Sequence, residues 1–354
     1  MEAKIVLLPG DGIGPEVINS AAEVLKIIAQ RYGHTLLMSQ SLVGAAALRA
    51  GEPPLPATTL EACLAANAIL LGAVGDPAFN SGSREQRPET ALLDLRQALG
   101  VYANLRPAKV WPGLENGGSL KPERLVGLDV LIVRELTGGI YYGEPRGRTD
   151  DRTVAFDTMR YSRPEIERIA TVAFDSARGR NQLVTSVDKA NVLESSRLWR
   201  EVVTEVGTRY PDVRLEHQLV DSCAMLLVSN PGKFDVILAG NLFGDILSDE
   251  AGAVVGSLGL LPSASVGGSG GLFEPVHGSA PDIAGQDKAN PIAAIASAAM
   301  LLRYALDAEV EATKIEVAIG SVLDDGLRTA DLAFDGQEVL GCRAMTQAII
   351  DRLE

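Results

Sequence analysis

Asp221 in QLVDSCAMLLV and Asp245 and Asp249 in NLFGDILSDEAG are the side chains whose type and spacing promise chemistry. Asp245 and Asp249 stand four residues apart, about one helical turn, so a helix puts both on one face. Two like charges in an apolar-flanked run repel each other unless a cation or a base sits between them. Their oxygens are hard ligands that suit Mg²⁺ or Mn²⁺. Alone, the pair reads equally well as a solvated helix face with an acid favoured by the helix dipole. Arg96 in LLDLRQ, Arg106 in YANLRPAK and Arg134 in LIVRELTGG lie beside apolar or turn residues, where a guanidinium can hold a carboxylate bidentately. Lys189 in VTSVDKANVLE follows an apolar run among acids, a setting that can tune an amine as a base. Taken singly, these are ordinary ion-pair arginines and a strand-end lysine.

The elements that must carry these residues alternate. KIVLL at 4 to 8 reads as a buried strand, GDGIGPE as a turn, and PEVINSAAEVLKIIAQRYG as a helix with Pro15 near its first turn. AAALRAG and TLEACLAANA look helical, AILLGAVG (68 to 75) is a second buried strand, and RPETALLDLRQALG is a helix closed by Gly100. Further strand-like runs follow at LDVLIVREL, NQLVTSVDK, VRLEHQLV and FDVILAGN, separated by helical patterns. This predicts an α/β fold with a largely buried sheet. The glycine-rich stretch SLGLLPSASVGGSGG (257 to 271) is expected to interrupt the alternation before small-residue helices such as ANPIAAIASAAMLLRYAL. Gly10, Gly12 and Gly14 give GxGxG, but Pro15 stands where a dinucleotide fingerprint wants glycine, and no acid ends a second strand downstream. The loop therefore reads as a tight turn needing positive φ. Any nucleotide must bind elsewhere.

Composition narrows the partners. A chain of 354 residues, 46% hydrophobic, is long enough for two domains with substantial cores. A formal charge of −14 with no basic run argues against nucleic acid or an anionic membrane surface. Cys63, Cys223 and Cys342 are too scattered for a disulfide framework or a thiolate zinc site, which fits a reducing, cytoplasmic setting. MEAKIVLLPGDG reads as a first strand and not as a signal peptide, and no run approaches the length of a membrane span.

Together the segments resemble the metal-dependent decarboxylating β-hydroxyacid dehydrogenases, the isocitrate/isopropylmalate dehydrogenase family. LLPGDGIGPEV, RPETALLDLR, NLRPAK, IVRELTGGIYYGEPRG, VDKANVLE, NLFGDILSDEAG, GSLGLLPSAS and EPVHGSAPDIAGQDKANP occur in family order, nearly end to end. The resemblance implies a two-domain α/β fold with a large mixed sheet flanked by helices, not a standard Rossmann fold. It implies a discontinuous nucleotide-binding domain of residues 1–100 and 255–354, and a substrate, metal and dimerisation domain of residues 101–254. It makes Asp221, Asp245 and Asp249 ligands of Mg²⁺ or Mn²⁺, has Arg96, Arg106 and Arg134 hold the substrate's carboxylates, and casts Lys189 and Tyr141 as the acid/base pair. Lys189 and Asp221 are expected to reach across from the second subunit of a homodimer. The implied cofactor contacts are Gly72, Ala73, Val74 and Asn191 towards the nicotinamide ribose. Glu274, His277, Gly278, Ser279, Ala280, Pro281, Asp282, Ile283 and Asn290 form the nucleotide loop. Asp282 points to NAD, because a carboxylate accepts hydrogen bonds from a ribose diol and repels a 2′-phosphate.

Substrate choice falls to the helix in RPETALLDLR, where Glu89, Leu92, Leu93 and Arg96 fall at i, i+3, i+4 and i+7 and share a face, with Val192 as a further side-chain contact. A branched alkyl group fits leucines better than a third carboxylate does, so the expected reaction is NAD-linked oxidative decarboxylation of 3-isopropylmalate in leucine biosynthesis. The alternatives are isocitrate, homoisocitrate, or D-malate and tartrate as substrate, or a non-catalytic subunit of the same fold. The presence of Lys189, Tyr141 and all three aspartates opposes the last.

Overall fold

The computed structural model describes residues 1–79, 86–117, 120–268, 270–334 and 336–353. The chain divides into two compact units: Met1–Val101, Trp111–Gly118 and Gly256–Glu354 form the first, and Tyr102–Val110 and Ser119–Val255 the second. The path begins in the first unit with β1 (Glu2–Gly10), α1 (Gly14–Tyr32), β2 (Thr35–Gln40), α2 (Ala45–Arg49), α3 (Ala57–Leu64), β3 (Ala68–Ala73) and α4 (Thr90–Leu99). It continues in the second with β4 (Ala103–Lys109), β5 (Asp129–Glu135), the short strands β6 (Gly147–Arg148) and β7 (Ala155–Phe156), α5 (Arg163–Arg178), β8 (Leu183–Asp188) and α6 (Glu194–Gly207). Then come β9 (Arg214–Leu219), α7 (Val220–Ser229), β10 (Val236–Ala239) and α8 (Asn241–Val255). The first unit is completed by β11 (Pro262–Gly268), β12 (Gly270–Pro275), α9 (Ile292–Leu306), α10 (Glu309–Asp324) and α11 (Cys342–Asp351).

Both units are α/β with mixed sheet. In the first, the strand order is β2-β1-β3-β12-β11, parallel except for the β11–β12 pair. In the second it is β4-β5-β10-β8-β9, parallel except for β4 against β5. The central strands β3 and β10 are continuous apolar runs buried at every residue, as strands covered by helices must be. Among the described residues no helix is long and apolar enough to cross a membrane.

The glycine-rich stretch interrupts the strand–helix alternation as expected, and it does so as two successive strands that periodicity does not reveal: β11 and the start of β12 are built from it, paired antiparallel with a register irregularity between Ser265 and Gly268. Small side chains are required there: a Cβ on Gly268 would lie 2.0 Å from the Leu99 carbonyl at the end of α4. Strand β4 also escaped the pattern reading, because Asn104, Arg106 and Pro107 interrupt its apolar run even though Asn104 and Arg106 are buried. The small-residue helix α9 is buried at every position from Ile292 to Leu302, where alanines allow α1, α10 and the sheet to close around it. All three cysteines are buried and unbridged, and burial pushes the Cys63 and Cys223 thiols up to about 12.

Candidate active site

Helix α8 delivers one dense polar face to the second unit. Asn241, Gly244, Asp245, Ser248 and Asp249 recur at helical spacing, and the helix packs on β4, β5 and the short turn that carries Tyr141. Arg134, at the end of β5, donates from Nη1 to Asp245 Oδ1. Arg106, from β4, places its Nη1 2.6 Å from Ser248 Oγ, 3.4 Å from Asp245 Oδ1 and 3.7 Å from Asp249 Oδ1. The repulsion foreseen between the two aspartates is therefore met by two guanidinium groups. Gly244 makes room, since a Cβ there would lie 2.8 Å from Arg134 Cγ. The Tyr141 hydroxyl donates to Asp245 Oδ2 at 2.8 Å. Burial, reinforced by that carboxylate, raises its pKa and keeps the phenol protonated. Burial and the neighbouring Asp245 raise Asp249 as well, against the pull of Arg106 and Arg134.

Lys189 and Asp221 form a separate pair in the same unit, with Nζ 2.5 Å from Oδ1. The ammonium lowers the Asp221 pKa. The Lys189 backbone is fixed by its neighbours: its N–H donates to Ser196 Oγ, and Asp188, fully buried and doubly bonded by Arg200, accepts from the Ala190 N–H. Asn191 and Val192 follow and are exposed.

In the first unit, positive-φ Gly10 and Gly12 shape the turn after β1, as expected. Gly12 also passes so close to the later loop that a Cβ would lie 1.9 Å from the Ser279 carbonyl, which accepts from the Ile13 N–H. Glu16 takes hydrogen bonds from the N–H groups of Gly285 and Asp287, so the N-terminal turn is the floor of the 277–290 loop. Gly72 and Ala73 are buried in β3, and Asp11 accepts from the N–H groups of Ala45, Ala46 and Gly75 beside half-buried Val74. The His277 Nδ1 lies 2.9 Å from the Gly278 carbonyl, burial lowers the ring's pKa, and its Nε2 has no partner among the described residues. Gly278, Pro281 and Asp282 are exposed, Ser279, Ala280 and Ile283 half-buried, and Asn290 is buried with its amide donating to Asp331 at 3.0 Å. On α4, Leu95 and Leu99 are core, whereas Leu92 and Leu93 are only half-buried and Glu89 is exposed. Arg96 bonds Glu274 at 2.7 Å, both nearly buried.

Sequence reasoning missed Asp11, Glu16, Asn104, Asp188, Asn241 and Asp331. Asp331 is exposed and the other five are buried or half-buried, and each is satisfied by main chain or by a site residue. The signal available was a polar side chain set in an apolar or turn run, which does not reveal its partner.

In chemistry the aspartates fit a hard divalent cation, since they offer oxygen alone and Asp221 and Asp249 keep exposed carboxylates. Within one chain they are not all brought together. Among the described residues, three acidic or thiol groups converge within 4.8 Å at Glu16, Asp287 and Cys342, where the carboxylates already bond main-chain N–H groups, and Asp221, Asp245 and Asp249 form no such group.

The family profile described as isocitrate/isopropylmalate dehydrogenase matches residues 4–349. The chain belongs to the isocitrate/isopropylmalate dehydrogenase family. It is 53% identical over 353 residues to the 3-isopropylmalate dehydrogenase of Parasynechococcus marenigrum, covering 99% of both chains. It is 52% identical over the whole length of both chains to the enzyme of that name from Oleidesulfovibrio alaskensis. Among solved structures of the family, the isocitrate dehydrogenase of Methylococcus capsulatus matches with a TM-score of 0.88 at 37% identity, covering 99% of both chains. A β-decarboxylating dehydrogenase from Thermococcus kodakarensis matches with a TM-score of 0.80 at 36% identity over 99% of this chain and 96% of its own.

Proposed function

We propose that this chain oxidises and decarboxylates 3-isopropylmalate to 4-methyl-2-oxopentanoate and CO₂ in leucine biosynthesis, using NAD and Mg²⁺ or Mn²⁺, as a cytoplasmic homodimer. The observation that carries the reading is the arginine-flanked Asp245/Asp249 face with Tyr141 bonded to it, in a chain more than half identical, end to end, to enzymes of that name.

Asp245, Asp249 and Asp221 would hold the divalent cation, which would supply Lewis acidity to the substrate's hydroxyl and later ketone oxygen, and the nicotinamide cofactor would supply the hydride acceptor. Arg106, Arg134 and Arg96 hold the substrate's carboxylates. In the second unit two guanidinium groups already balance two aspartates, so a dication and a dianionic substrate can enter as a pair without leaving net buried charge. Lys189, acting in its neutral form or through a relay, takes the hydroxyl proton. Tyr141, whose raised pKa keeps it protonated up to that step, delivers its proton to the carbon from which CO₂ departs.

The second subunit's Lys189 and Asp221 complete each site. Exposed apolar side chains support this reading: Met225 and Val228 lie on α7 and Ile246 on α8, the helices that bear Asp221 and Asp245. The first unit takes the nucleotide on the 277–290 loop, with Asp282 exposed for the ribose diol. The second unit takes the metal and forms the dimer.

Isocitrate is the second reading, favoured by the fold match to an isocitrate dehydrogenase. The half-buried leucines of α4 oppose it, because they leave an apolar surface uncovered and offer no partner to a third carboxylate. The deciding experiment is NADH formation with Mg²⁺ from 3-isopropylmalate, isocitrate, homoisocitrate, D-malate and tartrate. Preference for any of the last four rejects the assignment.

A further inference from the structure

Asn241 opens α8, is 1% exposed, and has every polar atom in use. Its N–H donates to the Tyr161 hydroxyl at 2.7 Å, and its Nδ2 donates to the carbonyls of Leu136 at 3.0 Å and Gly138 at 3.3 Å. Its Oδ1 accepts from Arg134 Nη2 at 2.9 Å and Nε at 3.2 Å, and its main-chain oxygen accepts from Nε at 3.0 Å. A guanidinium at the end of a flexible stem loses rotamer entropy when a ligand fixes it. Here the Nε and Nη2 edge is already held, which turns Nη1 to Asp245. The amide of Asn241 cannot rotate in compensation, because its other end is tied to two carbonyls of the loop that leads to Tyr141.

We infer that Asn241 is a positioning residue that sets the orientation of the Arg134 guanidinium and so the affinity for the substrate's carboxylate. The inference rests on the reading of Arg134 as a carboxylate-binding residue. It concerns binding and not the chemical step, since Asn241 itself faces protein on every side.

The test is a double-mutant cycle in the metal-loaded enzyme. Asn241→Ala leaves the main-chain contacts to Tyr161 and Arg134 intact and removes only the side chain. KM for 3-isopropylmalate is expected to rise about tenfold, the worth of roughly one charge-assisted hydrogen bond. The kcat should stay within about threefold and KM for NAD should not move, the pattern of lost uniform binding. Arg134→Lys removes the edge that Asn241 holds, so adding Asn241→Ala to it should have no further effect on the substrate KM. A purely structural role would move both KM values and act equally in either background. Asn241→Ser, measured alongside, provides the same comparison should the alanine variant fold poorly. Additive effects of the two substitutions, or an unchanged substrate KM in a folded Asn241 variant, overturn the inference. An Arg134→Lys enzyme with unchanged KM overturns the carboxylate reading itself, and the inference with it.

Discussion

Tyr141 donates its phenolic hydrogen to one oxygen of Asp245 while Arg134 holds the other. The carboxylate is thus oriented in advance of any cation, with a remaining lone pair on Oδ2 to offer. Chelation of the divalent ion is expected to abolish turnover, and Mg²⁺ or Mn²⁺ to restore it, because none of these residues supplies a Lewis acid of its own. Undiminished NADH formation in excess EDTA after dialysis would contradict this.

Lys189→Ala should lower kcat by roughly two to four orders of magnitude, the range for loss of a positioned base. Tyr141→Phe should be milder and fall mainly on the decarboxylation side. A Lys189→Ala enzyme within about threefold of the parent would reject the proton-transfer role, since a positioned base gives at least ~100-fold.

Leu92 and Leu93 are exposed enough on α4 to meet a ligand, whereas Leu95 and Leu99 on the same helix are committed to the core. Each buried methylene is worth about 0.8 kcal/mol, so replacing the isopropyl group by hydrogen should reduce kcat/KM for malate roughly a hundredfold. Leu92→Ala should narrow the gap without loss of thermal stability. A large fall in Tm would show instead that the residue is structural.

Asp282 lies exposed on the 277–290 loop. NAD should be preferred over NADP by at least ~100-fold in kcat/KM, since a charge-assisted hydrogen bond is replaced by repulsion and about 1.4 kcal/mol is tenfold. The ratio should move towards NADP in Asp282→Lys with Ile283→Tyr. Equal use of both coenzymes by the parent enzyme, at fixed ionic strength, means the ribose is read elsewhere.

His217 provides a pH test away from the site. Burial, aided by Arg200 and opposed by Asp188, depresses its pKa below the usual 6.5. The unfolded chain therefore takes up a proton at higher pH than the folded one. The stability this contributes is complete above about pH 6.5 and is lost as pH falls through the folded value. Urea midpoints at pH 8 and pH 5.5 should drop less for His217→Gln than for the parent, and parallel drops would dismiss the effect.

Much of the fold was legible because the strands in the middle of each unit's strand order are continuous apolar runs, as in β3 and β10. Where a strand carries buried polar residues, as β4 does, or small ones, as β11 does, periodicity gave no signal, because those residues are paid for by contacts far away in the chain. The face shared by Asp245 and Asp249 needed only helix geometry. Their neighbours needed the whole second unit: Arg134 lies 111 residues from Asp245 and Arg106 lies 139 from it.

What the amino-acid sequence determined by itself was therefore local: the alternation of strands and helices, the αL turns at Gly10 and Gly12, the apolar surface of α4, and the residue types able to bind a cation and two carboxylates. Tertiary structure alone decided which charges face one another. It set Arg106 and Arg134 against the aspartates, aimed the Tyr141 hydroxyl at Asp245, and left Lys189 with Asp221 apart from them within one chain. The reason is physical: helical and strand periodicities act over a few residues, whereas a buried charge finds its partner only when sheet order brings β4, β5 and α8 together.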